Sequence, residues 1–373
     1  MRKEYSEKER AWLWINDVLG ANVSSTDQLI YCNDGILELF EAVKLHRQVK
    51  YPKSVSAAQK ADLIKKCSDF YVDSLIESME RKGIYALARE SEGYPELLRE
   101  IYDPPGVIYV KGFLPRKIKL PIAVIGSRNC SDYGRSMAGY FGRELASHGA
   151  CVVSGLAAGC DSEASKGALM AVTDDIPTVA VLGSGVDVVY PASSKELYDR
   201  IVERGAVISE FKPGKRPTRD SFPQRNRIIS GLSKGVLVVE AGARSGTRLT
   251  VDFAHDQGRD VFAVPGRISD LKSVGTNGMI KSGEAKAVFG VDDILYEYGI
   301  FIGEAASPVA EIDVSKLDPE HRRICEVLLL GEKTADALCE STGFSASDIN
   351  MYLTELELSG IIKQLPNGEY AVK

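Results

Sequence analysis

PIAVIGSRNCSDYG, residues 121–134, sets the reading of the fold. Six residues that are apolar or small run without a charge, then stop at a glycine and a polar loop, GSRNCSDYG (126–134). The same figure recurs downstream. The apolar runs are PIAVIG (121–126), ACVVSG (150–155), IPTVAVLG (176–183), AVISEF (206–211), GVLVVEA (235–241) and DVFAVPG (260–266), with helical segments between them. Strands apolar on both faces and separated by helices predict a parallel sheet covered on both sides. Right-handed crossovers then make it a doubly wound, Rossmann-like α/β domain.

Ligands of such sheets bind outside the carboxyl ends of the strands. Almost every such end here carries glycine and small polar residues: GSRNCSDYG, then SGLAAGCDS (154–162), GSGVDVVYP (183–191), AGARSGT (241–247) and PGRISDLKSVGTN (265–277). Glycine permits close backbone approach, and helices starting at these loops present N–H groups and a positive dipole end. Several anion-compatible loops on one rim make a track for a ligand with repeated phosphates. The same glycines also suit tight turns alone. No loop is GxGxxG and no GxxxxGK[ST] occurs, so dinucleotides and nucleoside triphosphates find no signature.

Charge sharpens the reading. The chain of 373 residues carries net charge −6, yet Phe211 to Gly231 holds Lys212, Lys215, Arg216, Arg219, Arg225 and Arg227 against Asp220 alone. An acidic chain with a cationic rim can still bind an anion, since only the local field matters. Arginine offers a planar fork that pairs with phosphate oxygens. Phe222, between Arg219 and Arg225, is placed to stack a base or to plug the loop from beneath. Arg128 is read as a phosphate contact, with an ion pair to Asp132 or Asp161 as the alternative. Asp161 itself is expected to cap the helix that follows it.

The flanks read differently. Residues 1–93 carry apolar positions at helical spacing and predict a small helical domain, with Trp12 and Trp14 in its core rather than as a stacking pair. The α/β domain is expected over 94–298, a linker over 299–319, and a winged helix over 320–373, where three helical segments precede a hairpin-like tail. Its second and third helices, Thr334 to Ile361, contain Asp336, Glu340, Asp348, Glu355 and Glu357 and no Lys or Arg. Phosphate would repel that surface, so the winged helix is expected not to bind DNA. A hydrophobic share of 44% and a charged share of 26% are those of a soluble globular protein. No apolar run is long enough to cross a bilayer, and the charged N-terminus is no signal peptide. Seven scattered cysteines without a CxxC predict reduced thiols in a cytoplasm. Four separated histidines form no ligand pattern, so neither metal nor cofactor is expected.

GSR at 126–128, SGLAAGCD at 154–161, GSGVDVVYP, FPQRNRIISGL (222–232), VVEAGARSGT (238–247) and VPGRISDLKSVGTNGMIKSGE (264–284) together resemble the DNA-processing protein A family, DprA, also called Smf. YPELLREIYDPPGVIYVKG (94–112) resembles that family's lead-in to its Rossmann-like domain. The resemblance implies a bacterial single-stranded-DNA-binding protein, not an enzyme. Such a protein protects incoming strands in natural transformation, helps load the RecA recombinase and dimerises through the Rossmann-like domain. It implies DNA or phosphate contacts at Ser127 and Arg128 of the GSR loop, at Gly155, at Arg219, and at Phe222, Arg225 and Asn226 of FPxRN. Ser245, Gly246, Thr247, Thr276 and Asn277 match the family's small polar loop positions. The competing reading is an enzyme of the nucleotide phosphoribohydrolase kind, with Glu240 as acid or nucleophile at a glycosidic bond. Glu240 has no second carboxylate of matching role in the sequence, unless the 154–162 loop brings Asp161 close.

Overall fold

The computed structural model describes residues 3–243, 245–301, 317–365 and 368–372. Five helices lead: α1 (Glu7–Leu19), α2 (Val23–Tyr31), α3 (Ile36–Lys44), α4 (Ala57–Lys66) and α5 (Asp69–Arg81). Ser6 and Glu9 form a reciprocal capping box at the start of α1, and Ser56 and Gln59 do the same for α4. Trp14 is fully buried, lies edge-on to Phe40 at 5.2 Å and donates its indole N–H to Leu63 O at 3.1 Å. Trp12 is buried too, so both tryptophans belong to the core.

The chain then enters one large sheet through β1 (Ile84–Ala88), a short α6 (Glu96–Arg99) and β2 (Val107–Gly112). The alternation read from sequence follows: β3 (Pro121–Ile125), α7 (Asp132–Ser147), β4 (Cys151–Ser154), α8 (Cys160–Met170), β5 (Thr178–Val181), α9 (Lys195–Arg204), β6 (Ala206–Ser209), α10 (Ser221–Gly231), β7 (Gly235–Val238), α11 (Thr247–Asp256), β8 (Asp260–Ala263), α12 (Val274–Ser282), β9 (Lys286–Ala287) and α13 (Asp292–Leu295). The strand order is β1-β2-β6-β5-β4-β3-β7-β8-β9. Strands β3 to β9 are parallel, and β1 and β2 extend the β6 edge antiparallel. Successive strands run one way from β3 to β6, then cross back to β7 on its other side. The carboxyl ends of β3 and β7 therefore frame the switch point where open α/β sheets take their ligands.

Two features depart from the sequence reading. Ile84–Ala88, assigned there to the helical region, is an edge strand paired with Val107–Lys111. The expected division at residue 93 also falls where packing is continuous. Trp14, Leu39 and Val72 of the helical layer share a core with Tyr109 on β2, Ala180 and Leu182 at β5, and Val207 on β6. Met1–Phe301 is one compact unit and Ile302–Lys373 a second.

The second unit holds α14 (Pro319–Leu329), α15 (Ala335–Thr342), α16 (Ala346–Leu358) and a hairpin of β10 (Ile362–Gln364) and β11 (Tyr370–Val372). Ile324, Leu328, Leu338, Ile349, Leu353, Leu356 and Ile362 make its core. Most of the linker expected at 299–319 lies outside the described residues.

Candidate nucleic-acid interface

The loop after β3 is pinned on two sides. Ser127 N donates to Glu240 O at 2.8 Å, and Ser127 O accepts from Cys160 N at 3.2 Å. Gly159, at φ +82°, leaves no room for a Cβ beneath Ser127 and Arg128. The backbone is thus held while the Arg128 side chain stays exposed. Its guanidinium carbon lies 5.5 Å from the centre of the Phe222 ring. Phe222, on the first turn of α10, is half-buried against Gly183 and also meets Tyr190, with ring centres 5.8 Å apart. Asp132 is taken by Arg135 at 3.5 Å, so the Arg128–Asp132 pair did not form. Cation, ring and ring therefore touch in succession and join the segments that follow β3, β6 and β5. Phe222 packs on Gly183 as the plug reading expects and remains partly open.

Tyr190 is the residue that sequence reasoning passed over. It is 53% exposed at the end of GSGVDVVYP. The signal was present as a tyrosine in a glycine-rich loop after a strand, but nothing in the sequence placed that loop against α10.

Arg225 has a different place from the one expected. It is 4% exposed, and one terminal nitrogen donates to Gly155 O at 2.6 Å and also to Val181 O. Its Nε donates to Asn226 Oδ1 at 3.2 Å. A Cβ on Gly155 would come within 2.5 Å of that guanidinium, so glycine is needed there for close approach. Burial pulls the Arg225 pKa down to about 10, opposed by Asp161, with Arg128 adding to the decrease. Asp161 is the counter-charge. It accepts from Gly155 N at 2.9 Å, so it ties down the loop rather than capping its own helix. Burial pushes its carboxyl up, against Arg225 and the Gly155, Gly126 and Ala157 amides. The pair knits the ends of β3, β4 and β5 into one platform. Arg227 is buried as well, between Asp103 at 3.0 Å and Glu210 at 2.5 Å.

The cationic run therefore divides. Lys212, Arg225 and Arg227 serve the scaffold, Lys212 through Asp17 at 3.0 Å. Lys215, Arg216 and Arg219 are exposed. Lys215 lies over the Phe211 ring, while Arg216 and Arg219 have no hydrogen bond or ion pair among the described residues. With Arg128 they are four cations open to solvent.

The remaining expected residues lie along the same carboxyl edge, after β7 and β8. Ser245 accepts from Thr247 N at 3.3 Å and from its hydroxyl at 2.9 Å, at the start of α11, with Gly246 exposed between them. Thr276 is 1% exposed and its hydroxyl donates to Ser273 O. Asn277 clasps Gly266 through two hydrogen bonds, at 3.1 and 2.9 Å. Thr276 and Asn277 thus shape the loop after β8 and do not present free groups.

Glu240 stands at the switch point, 1% exposed. Its carboxylate accepts from Ser131 N at 3.0 and 3.2 Å and from the Ser131 hydroxyl. Ser131 caps α7 by accepting from Gly134 N. Both carboxylate oxygens are spent on that cap, and Asp161 turns to loop amides. No group of three or more His, Cys, Asp or Glu among the described residues is arranged to hold a metal. No helix among them is long and apolar enough to cross a membrane.

A parallel α/β sheet, a glycine-rich carboxyl rim bearing a cation–aromatic line, and an appended winged helix define the class. Residues 85–299 match the family described as DNA recombination-mediator protein A, and residues 307–368 match the DprA winged helix domain. The chain belongs to the DprA/Smf family of DNA-processing proteins. It is 36% identical over 308 residues to protein Smf of Escherichia coli, covering 80% of each chain. It is 41% identical over 230 residues to DNA processing protein DprA of Streptococcus pneumoniae, covering 61% of this chain and 79% of that one. Among solved structures, DprA of S. pneumoniae superposes with a TM-score of 0.64 at 31% identity, over 79% of this chain and 99% of that one. A DprA structure from Helicobacter pylori, described for its single-stranded-DNA binding mode, gives 0.52 at 27% identity over 58% and 95%.

Proposed function

We propose that this chain binds single-stranded DNA along the carboxyl rim of its sheet, as a holder and not as an enzyme. The observation that carries the reading is the line Arg128–Phe222–Tyr190, set beside the exposed Lys215, Arg216 and Arg219. Phosphates meet the cations and bases stack on the rings, a combination that tolerates any sequence. Duplex DNA hides its base faces, so the rings favour single strands. The H. pylori relative, described as a single-stranded-DNA binder, supports this. The family resemblance adds three parts: protection of incoming strands in transformation, help in loading RecA, and a homodimer through the α/β unit, all in the cytoplasm. Each is read from the family and not from the geometry.

Contact roles follow the geometry. Arg128, Phe222 and Arg219 are direct contacts, Tyr190 joins them, and Ser127, Ser245 and Gly246 offer hydroxyl or backbone groups at the loops. Gly155, Arg225, Asn226, Thr247, Thr276 and Asn277 act by holding those loops. The test is anisotropy with labelled oligo-dT. Phe222→Ala and Tyr190→Ala are expected to weaken binding by about 1–3 kcal/mol each, with the salt slope intact. Full affinity in both variants contradicts the stacking line.

A further inference from the structure

The helical N-terminal layer has a hold on the cationic loop. Lys212, at the start of that loop, donates to Asp17 O at 2.9 Å and to Asp17 Oδ1 at 3.0 Å. The other carboxylate oxygen of Asp17 accepts from Lys66 Nζ and from the Tyr71 hydroxyl, each at 2.8 Å. One half-buried carboxylate thus joins α1, α4, α5 and the loop after β6. Burial acts to raise its pKa, and the three donors outweigh it, so Asp17 stays ionised. A second strut runs beside the first. Asp187 accepts from Gly214 N at 2.6 Å and from Lys82 Nζ, just beyond α5, at 2.7 Å. A third is backbone alone, Gly185 N to Lys215 O at 2.8 Å. Beyond Lys215 the chain turns outward, and Arg216 and Arg219 are exposed.

We propose that the helical layer is a positioning element for the cationic loop, with Asp17, Lys212 and Asp187 as positioning residues that do not touch the ligand. The inference rests on the reading of the rim as a DNA track. A loop fixed before binding spares the ordering cost that a free loop meets on association. The layer therefore raises affinity without adding a contact. This also accounts for a lysine of the cationic run being turned away from the rim and into an acidic junction.

The test uses the full chain with Lys212→Met, Lys212→Arg, Asp17→Asn and Asp187→Asn. Two quantities are read: amide hydrogen exchange across residues 212–219, and oligo-dT affinity over a salt series. Lys212→Met and Asp17→Asn are expected to speed exchange in the loop by about tenfold, the loss of a hydrogen bond to a charged group. Affinity falls in both while the salt slope stays, and Lys212→Arg restores exchange and affinity. Asp187→Asn leaves the bonds to Asp17 in place and is expected to speed exchange at Gly214 and its neighbours. Unchanged exchange in Lys212→Met and Asp187→Asn overturns the proposal. So does a slope reduced by about 0.7 in Lys212→Met, since that marks Lys212 as a phosphate contact itself. If the wild type does not bind oligo-dT, the DNA track fails, and the exchange arm alone still decides whether the layer holds the loop.

Discussion

Arg225 and Arg128 carry the same charge and face opposite fates. Arg225 sits under the rim with Asp161 as its buried counter-charge, whereas Arg128 lies in the open over a ring. Removing one partner of a buried pair strands the other. Arg225→Met is therefore expected to destabilise the fold by about 3–5 kcal/mol, read as a loss in denaturant midpoint. Arg128→Ala and Arg219→Ala are expected to stay within about 0.5 kcal/mol of wild type, because both side chains are solvated. A stable Arg225→Met variant would return Arg225 to the list of ligand contacts. Glu240→Gln is expected to destabilise through the α7 cap, by about 1–2 kcal/mol, with no change in any nucleotide turnover. Base release from a nucleoside monophosphate by the wild type, lost in Glu240→Gln, would support the enzyme reading instead. Glu210 supplies a pH signature. Burial pushes its carboxyl up to about 7 from an ordinary 4.5, against the pull of Arg227. The folded chain then holds that proton more tightly than the unfolded one, so its contribution to stability falls as pH rises from 4.5 towards 7. Glu210→Gln is expected to flatten that part of the profile of Tm against pH, and an unchanged profile places the titration elsewhere.

Among the elements, those with a strong period were legible and those that depend on partners were not. Six apolar runs in sequence became β3 to β8 because each is buried on both faces and can be nothing but a central strand. Ile84–Ala88 was missed because five residues beside a helix show no period of their own, and only pairing with β2 makes them a strand. The rim's chemistry was legible as residue types, and its orientation was not. FPQRN reads as a cationic patch, yet Phe222 on the first turn of α10 is half-buried while Arg225, three residues on, is fully buried under the loops after β4 and β5. Tyr190 gained meaning only when its loop met that helix. The winged helix is the element whose charge makes the plainest claim. Asp348, Glu355 and Glu357 are exposed on α16, where a recognition helix would meet phosphate. The isolated unit, residues 317–373, is expected to give no shift of duplex or single-stranded DNA in a gel at moderate salt. Binding there would contradict the repulsion argument.

At the scale of the whole molecule the net charge of −6 and the DNA track are compatible because the cations are sorted. Three of the six in Phe211–Gly231 stabilise the platform and three are exposed, as is Arg128 on the loop after β3. That sorting predicts a number. Four phosphate contacts at about 0.7 each give a fall of log K with log salt of slope about −3. The measurement that tests this most directly is anisotropy of labelled oligo-dT and a matched duplex across a salt series, for wild type and the double variant Arg128→Ala/Arg219→Ala. The account predicts tight binding that prefers the single strand, a slope near −3 for the wild type, and about −1.5 for the double variant. A slope near zero, or one that the double variant leaves unchanged, would contradict it.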